Sequence, residues 1–178
     1  MLINKIHVYI LYNVFNLKNE KLMKRPLLSV ISLFTLLTIN TLSHAGPAGL
    51  INKTSKFNVN ETINRLEAVL KKKGITVITR WSHSDRAKDI GVTLRPTELI
   101  LFGNPKLGSQ FFTSQQTSGI DLPMKALAWE DETGQVWLSY NAPSYITSRH
   151  NINNRDKTSN KMKKALNNLT NIATGNKD

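Results

Sequence analysis

No cysteine occurs among the 178 residues. Disulfides, thiolate catalysis and cysteine-ligated metal or iron–sulfur centres are therefore excluded. Acidic residues are scarce, with 12 Asp and Glu against 24 Lys and Arg and a formal net charge of +12. The carboxylates stand singly, and Glu98 and Glu130 have no spacing that marks a general acid paired with a base. Of the four histidines only His83 and His150 lie beyond residue 45, so a histidine metal site would need both, helped by carboxylates. The chain has no P-loop, no dinucleotide-binding glycine pattern, no HExxH and no GxSxG, which removes the common signatures of phosphate transfer, hydride transfer and hydrolysis. No cofactor or metal is implied, and no residue is singled out as catalytic.

The longest apolar stretch is short for a membrane span, which favours a cleaved segment over the alternative of an uncleaved signal anchor. Leu27 to Leu42 holds 42 − 26 = 16 residues, against the roughly 20 that a spanning helix needs. It follows Met23-Lys24-Arg25-Pro26 and precedes Ser43-His44-Ala45, with small residues one and three positions before Gly46. A positive start, a short apolar run and a small-x-small site describe a secretory signal peptide cleaved near Ala45. Met23 is the natural start of that plan, since residues 1–22 would make its charged segment unusually long. The expected product is exported, periplasmic or otherwise extracytoplasmic, and holds 178 − 45 = 133 residues, an ordinary size for one domain. It keeps 19 basic and 11 acidic residues, or +8, and half of that excess follows Asn154. A basic tail over 155–178 suggests attraction to an anionic membrane surface rather than a nucleic-acid footprint, although most charge runs simply keep a surface solvated.

Periodicity supplies the elements. Residues 46–56 read as a linker. Asn58 and Glu61 have capping-box spacing, Ile63, Leu66, Val69 and Leu70 recur at helical spacing, and Gly74 ends the helix. A strand is expected over Ile75–Trp81, with Ile75, Val77, Thr79 and Trp81 on one face. Ser84–Ile90 predicts a short helix, Glu98–Phe102 a buried strand, and Lys106–Gln116 a helix carrying Phe111 and Phe112 inward. Met124–Glu130 and Gln135–Asn141 predict a hairpin across Asp131-Glu132-Thr133-Gly134. A short helix is expected over Pro143–His150, a loop over 151–160, and a last helix with a stripe of Met162, Ala165, Leu166, Leu169 and Ile172. The pattern predicts an α+β fold, a single antiparallel β-sheet with helices packed on one face.

Several words of the sequence fall in a familiar order: Leu94-Arg95-Pro96-Thr97-Glu98-Leu99, Phe102-Gly103-Asn104-Pro105, Asp121-Leu122-Pro123-Met124-Lys125 and Trp129-Glu130-Asp131, with His83 ahead of them. On these the chain resembles the family known as domain of unknown function 302, from about Phe57 to Ile152. The resemblance implies a compact β-α-β domain with a TATA-binding-protein-like sheet, and implies no activity. The segment 153–178 falls outside it.

Four residues are candidates for a ligand site: His83, Asn104, Asp121 and Lys125. His83 follows a strand end, where it serves as a base or donor, or merely closes a turn. Lys125 shares a strand face with Leu127 and Trp129, and a cation on an apolar face must snorkel, pair with a carboxylate such as Asp121, or meet an anionic ligand. Asn104 sits at a strand exit with an amide to offer. The expected function is that of a binding module for a small anion around His83, Asn104 and Lys125, with the alternative of an envelope-interaction protein held to membrane or a protein partner by its basic C-terminal helix.

Overall fold

The computed structural model describes residues 49–176; the signal peptide, its cleavage point and the Met23 start lie outside the described residues. Within them run β1 (Leu50–Thr54), α1 (Val59–Lys72), β2 (Thr76–Ser82), α2 (His83–Asp89), β3 (Thr97–Gly103), α3 (Pro105–Phe112), a short 3₁₀ helix (Gln116–Ile120), β4 (Met124–Glu130), β5 (Val136–Asn141), α4 (Pro143–Arg149) and α5 (Asp156–Thr174). The strands form one sheet in the order β1-β5-β4-β3-β2, with every neighbouring pair antiparallel. This is an α+β fold on a single antiparallel sheet.

Helix α1 begins where Asn58 accepts a hydrogen bond from the Glu61 amide at 2.8 Å, with Glu61 in its first turn and Lys71 and Lys72 in its last. Both placements suit the helix dipole. Its buried stripe of Val59, Ile63, Leu66, Val69 and Leu70 faces Ile100 and Phe102 of β3, Ala126 and Ala128 of β4, and Leu138 and Tyr140 of β5, all buried in one core. Alanine at the centre of β4 lets the helix approach the sheet closely, and each fully buried Leu or Ile contributes roughly 1.5–3 kcal/mol of hydrophobic stabilisation. Helix α5 lies beside α1 and adds Met162, Leu166, Leu169 and Ala173 to the same core. At the sheet edge Arg80 binds Glu98 at 2.7 Å and Glu67 at 3.0 Å, fastening β2 to β3 and α1.

Among the described residues the other side of the sheet carries no such layer. Leu99, Leu101, Lys125, Leu127, Trp129 and Trp137 alternate out of phase with the core residues of β3, β4 and β5, and all are partly exposed. β4 is apolar on both faces, so its pattern alone does not say which face meets the helices.

Three sequence expectations change. Part of the linker over 46–56 is strand β1, a five-residue edge with mostly exposed side chains, so no alternation marks it. Its pairing with β5 and the bonds of Lys53 to Asn167 and Asn171 of α5 create it. Helix α5 starts inside the predicted loop, and its stripe turns slightly at the end, so that Ala173 is buried while Ile172 is half exposed. In β2 a bulge between Val77 and Thr79 resets the alternation, so Val77 packs toward the core while Trp81 stands on the open face.

Candidate functional site

The helix-covered face holds a cavity of about 350 Å³ near the end of the sheet where β3 leaves and β4 begins. Ile75 and Ile78 from the β2 side, Phe102 of β3, Leu107 and Phe112 of α3, and Met162, Leu166 and Leu169 of α5 form its walls, with Leu122 and Pro123 closing one flank. The void exists because the two helices that frame it present small residues there, Gly108 on α3 and Ala165 on α5. A Cβ on Gly108 would meet only the Phe112 ring, at 3.6 Å. The size lies at the low end for small-molecule pockets, roughly 300–1,000 Å³.

Polar groups on the lining are few. Thr76 pairs with Gly103 across the β2–β3 ladder, and Asn104 follows. Asn104 caps α3, accepting from the Lys106 amide at 3.0 Å through Oδ1. A lining of this kind favours an apolar body with one hydrogen-bonding head over a bare ion, whose desolvation would go uncompensated.

Beside the cavity stands a polar cluster around Asp121. Its buried carboxylate accepts from Arg149 Nη1 at 3.0 Å and contacts His150 Nε2 at 2.7 Å. His150 Nδ1 lies 3.0 Å from Thr117 Oγ1. With the Nε2 proton given to the carboxylate, Nδ1 accepts from the threonine hydroxyl. The array has the order hydroxyl, imidazole, carboxylate of a nucleophile relay, with Arg149 sharing the Asp121 carboxylate. It joins α4 and the 3₁₀ helix to the cis Leu122–Pro123 segment, and so fixes one wall of the cavity.

The four candidate residues do not form a common pocket. His83 opens α2 and is exposed, and its neighbour Ser82 supplies the cap by accepting from the Asp85 amide at 3.1 Å. Ser82 pairs with Glu98 and Thr76 with Gly103, so His83 and Asn104 sit at opposite ends of the sheet, about 20 Å apart at 3.3 Å per residue. Lys125 lies on the open face, away from the cavity, because strand alternation puts Met124 inside. Lys125 and Asp121 do meet, but Nζ donates to the main-chain carbonyl of Asp121 at 3.0 Å, while the carboxylate belongs to Arg149 and His150. A pocket around His83, Asn104 and Lys125 is therefore corrected to a cavity that keeps only Asn104. The reading of single residues missed His150, Arg149 and Thr117, whose partners lie about 30 residues away in sequence. It also missed the cavity, for which the small residues Gly108 and Ala165 on otherwise apolar helix faces were the available signal. Among the described residues no group of three or more His, Asp or Glu could hold a metal ion.

The profile of the family described as domain of unknown function DUF302 matches residues 51–169. The chain belongs to the DUF302 family. The match begins in β1 and ends in α5 at Leu169, so it extends beyond Phe57–Ile152 at each end and takes in both of these elements. A crystal structure of an uncharacterized conserved DUF302 protein from Bacillus stearothermophilus has the same fold, with a TM-score of 0.64 and 20% sequence identity over 71% of this chain and 99% of that one. There the DUF302 fold makes up practically the whole chain. Two curated relatives are called fluoride-specific ion channels, FluC 1 of Brucella suis and FluC 2 of Brucella melitensis. Each is 46% identical over 105 residues, 59% of this chain. The chain spans 41% and 39% of their lengths.

Proposed function

We propose that this DUF302 domain is an extracytoplasmic binding module for a small, largely apolar molecule with one polar head, seated in the cavity between α3, α5 and the sheet. The observation that carries the reading is the apolar lining, with Asn104 at its rim as a hydrogen-bonding side chain. Export rests on the signal-peptide pattern of residues 23–45. The names of the Brucella relatives support a setting close to a membrane. Among the described residues no helix is long and apolar enough to cross one, so this domain would serve such a protein as an appendage rather than as its pore.

The experiment is a thermal-shift titration of residues 46–178 with octanol, octanoate and sodium fluoride. A ligand at a hundredfold its Kd stabilises the fold by about 2.7 kcal/mol, a rise in Tm of several degrees at this size. Octanol and octanoate are expected to raise Tm, and Ala165→Phe, which fills the cavity, is expected to abolish the rise. A shift with fluoride alone would replace this reading with that of an anion site. No shift with any of the three would remove the binding module.

The earlier alternative, a C-terminal helix held to anionic membrane or a partner, meets an obstacle. Met162, Leu166 and Leu169 of the α5 stripe are buried in the core, and the helix turns Ile172 and several Asn to solvent along with Lys157, Lys161, Lys163 and Lys164. Contact through these lysines would be electrostatic, weak and abolished by salt.

A further inference from the structure

All three tryptophans of the chain, Trp81, Trp129 and Trp137, stand on the open face of the sheet. Two rows cross this face in register. One runs Trp81, Leu99, Leu127, Ser139, Asn52 and the other Thr97, Trp129, Trp137, Thr54. Trp129 and Trp137 stack with ring centroids 6.3 Å apart and planes at 21°. Their indole N–H groups are already committed, Trp129 to Ser139 Oγ at 2.8 Å and Trp137 to Asp131 Oδ2 at 2.7 Å, and Ser139 in turn donates to Asn52 at 2.7 Å. The rings are thus held in place and turn satisfied, apolar surface outward. Trp81, at the β2 end of the first row, is 50% exposed, and the Arg86 guanidinium of α2 lies 5.4 Å from its ring centroid.

We propose that this face is where two copies of the chain pack, sheet against sheet about a two-fold axis. Three observations favour a second copy as the occupant. The first is size: five strands of five to seven residues span roughly 20–25 Å each way. That is about 500 Å² in plan, and side-chain relief brings it toward the roughly 600–1,000 Å² that each partner gives to a standard interface. The second is shape, since two sheets of the same twist pack face to face at about −30° with apolar side chains interleaved. The third is charge. The mature chain carries +8, yet the strand positions of this face hold one ionic side chain, Lys125, at its margin and already bonded to a carbonyl. An anionic surface or polymer would be met by the cationic parts of the molecule, whereas a neutral aromatic face suits another of its kind. The pre-set rings lower the ordering cost of association. The cavity lies on the opposite side of the sheet, so this proposal stands or falls independently of ligand binding.

Sedimentation equilibrium of residues 46–178 between about 1 and 100 μM, a window set for micromolar association, tests it. A two-chain particle is expected, with tryptophan emission moving to longer wavelength and iodide quenching rising as the sample is diluted. Trp81→Asp and Leu127→Asp are each expected to weaken the dimer at least about a hundredfold, and Ile172→Asp, on α5 across the sheet, to leave it unchanged. Should Leu127→Asp lose its fold by circular dichroism, the half-exposed Trp81 decides. A single-chain mass at the top of the range overturns the proposal, as does a dimer indifferent to Trp81→Asp.

Discussion

Asp131 organises the β4–β5 turn through more bonds than any other side chain near it. One carboxylate oxygen accepts from the Thr133 hydroxyl and amide and from the Gln135 amide, at 2.7, 2.9 and 3.0 Å, and the other accepts from the Trp137 indole. The Thr133 hydroxyl foremost, then the Trp137 indole, hold its pKa down to about 2 from 3.8. A depressed carboxyl adds stability that is present above its ordinary pKa and is lost as pH falls through the folded value. Asp131→Ala is therefore expected to lower Tm at pH 7, with the gap to the native protein closing between about pH 4 and pH 2. A gap that stays constant across that range, measured by thermal denaturation, would assign the effect to turn geometry instead of the carboxylate charge. Glu67 adds to the same acid limb, because Lys71 first and Arg80 second hold its pKa below 4.5.

At the scale of elements, α5 is a core helix with a basic outer surface. Leu166 is buried at 4% exposure whereas Ile172 is 50% exposed, although both belong to the stripe read from the sequence. Leu166→Ala is expected to cost about 2–4 kcal/mol and Ile172→Ala less than about 0.5, both measured by urea denaturation. Equal costs would mean that α5 is seated a residue away from the register described. Gly175 ends this helix at φ +73°, and a Cβ there would approach the Phe57 ring to 2.9 Å. The residue thus serves both as the left-handed stop and as the point of contact with the β1–α1 connection.

For the whole molecule the consequence is that the basic tail cannot be removed. Deleting residues 155–178 takes away Met162, Leu166, Leu169 and Ala173 from the one core, along with the partners of Lys53 and of Arg65, which binds the carbonyls of Ile172 and Ala173. The expected outcome is a chain without a cooperative thermal transition and with collapsed amide dispersion in its NMR spectrum. A well-dispersed spectrum from residues 46–154 would show that α5 is an appendage after all.

Local chemistry in the sequence determined most of the elements and their order. The Asn58 cap, the Gly74 stop, the Asp131–Gly134 turn and the two periodicities each act within a few residues, and α1, β2, β3, β4, β5 and α4 fell within one or two residues of their predicted bounds. The α+β class followed from them. What only the tertiary structure decided needed contacts distant in sequence. Edge strand β1 forms because β5 offers it a ladder. The face of β4 that meets the helices is chosen by where α1 and α5 lie, and with it the position of Lys125. Asp121 finds His150 and Arg149 instead of Lys125, and the cavity arises from two small residues, Gly108 and Ala165, that lie 165 − 108 = 57 positions apart. Each of these depends on packing between segments, and one chain read along its length holds the ingredients without their juxtaposition.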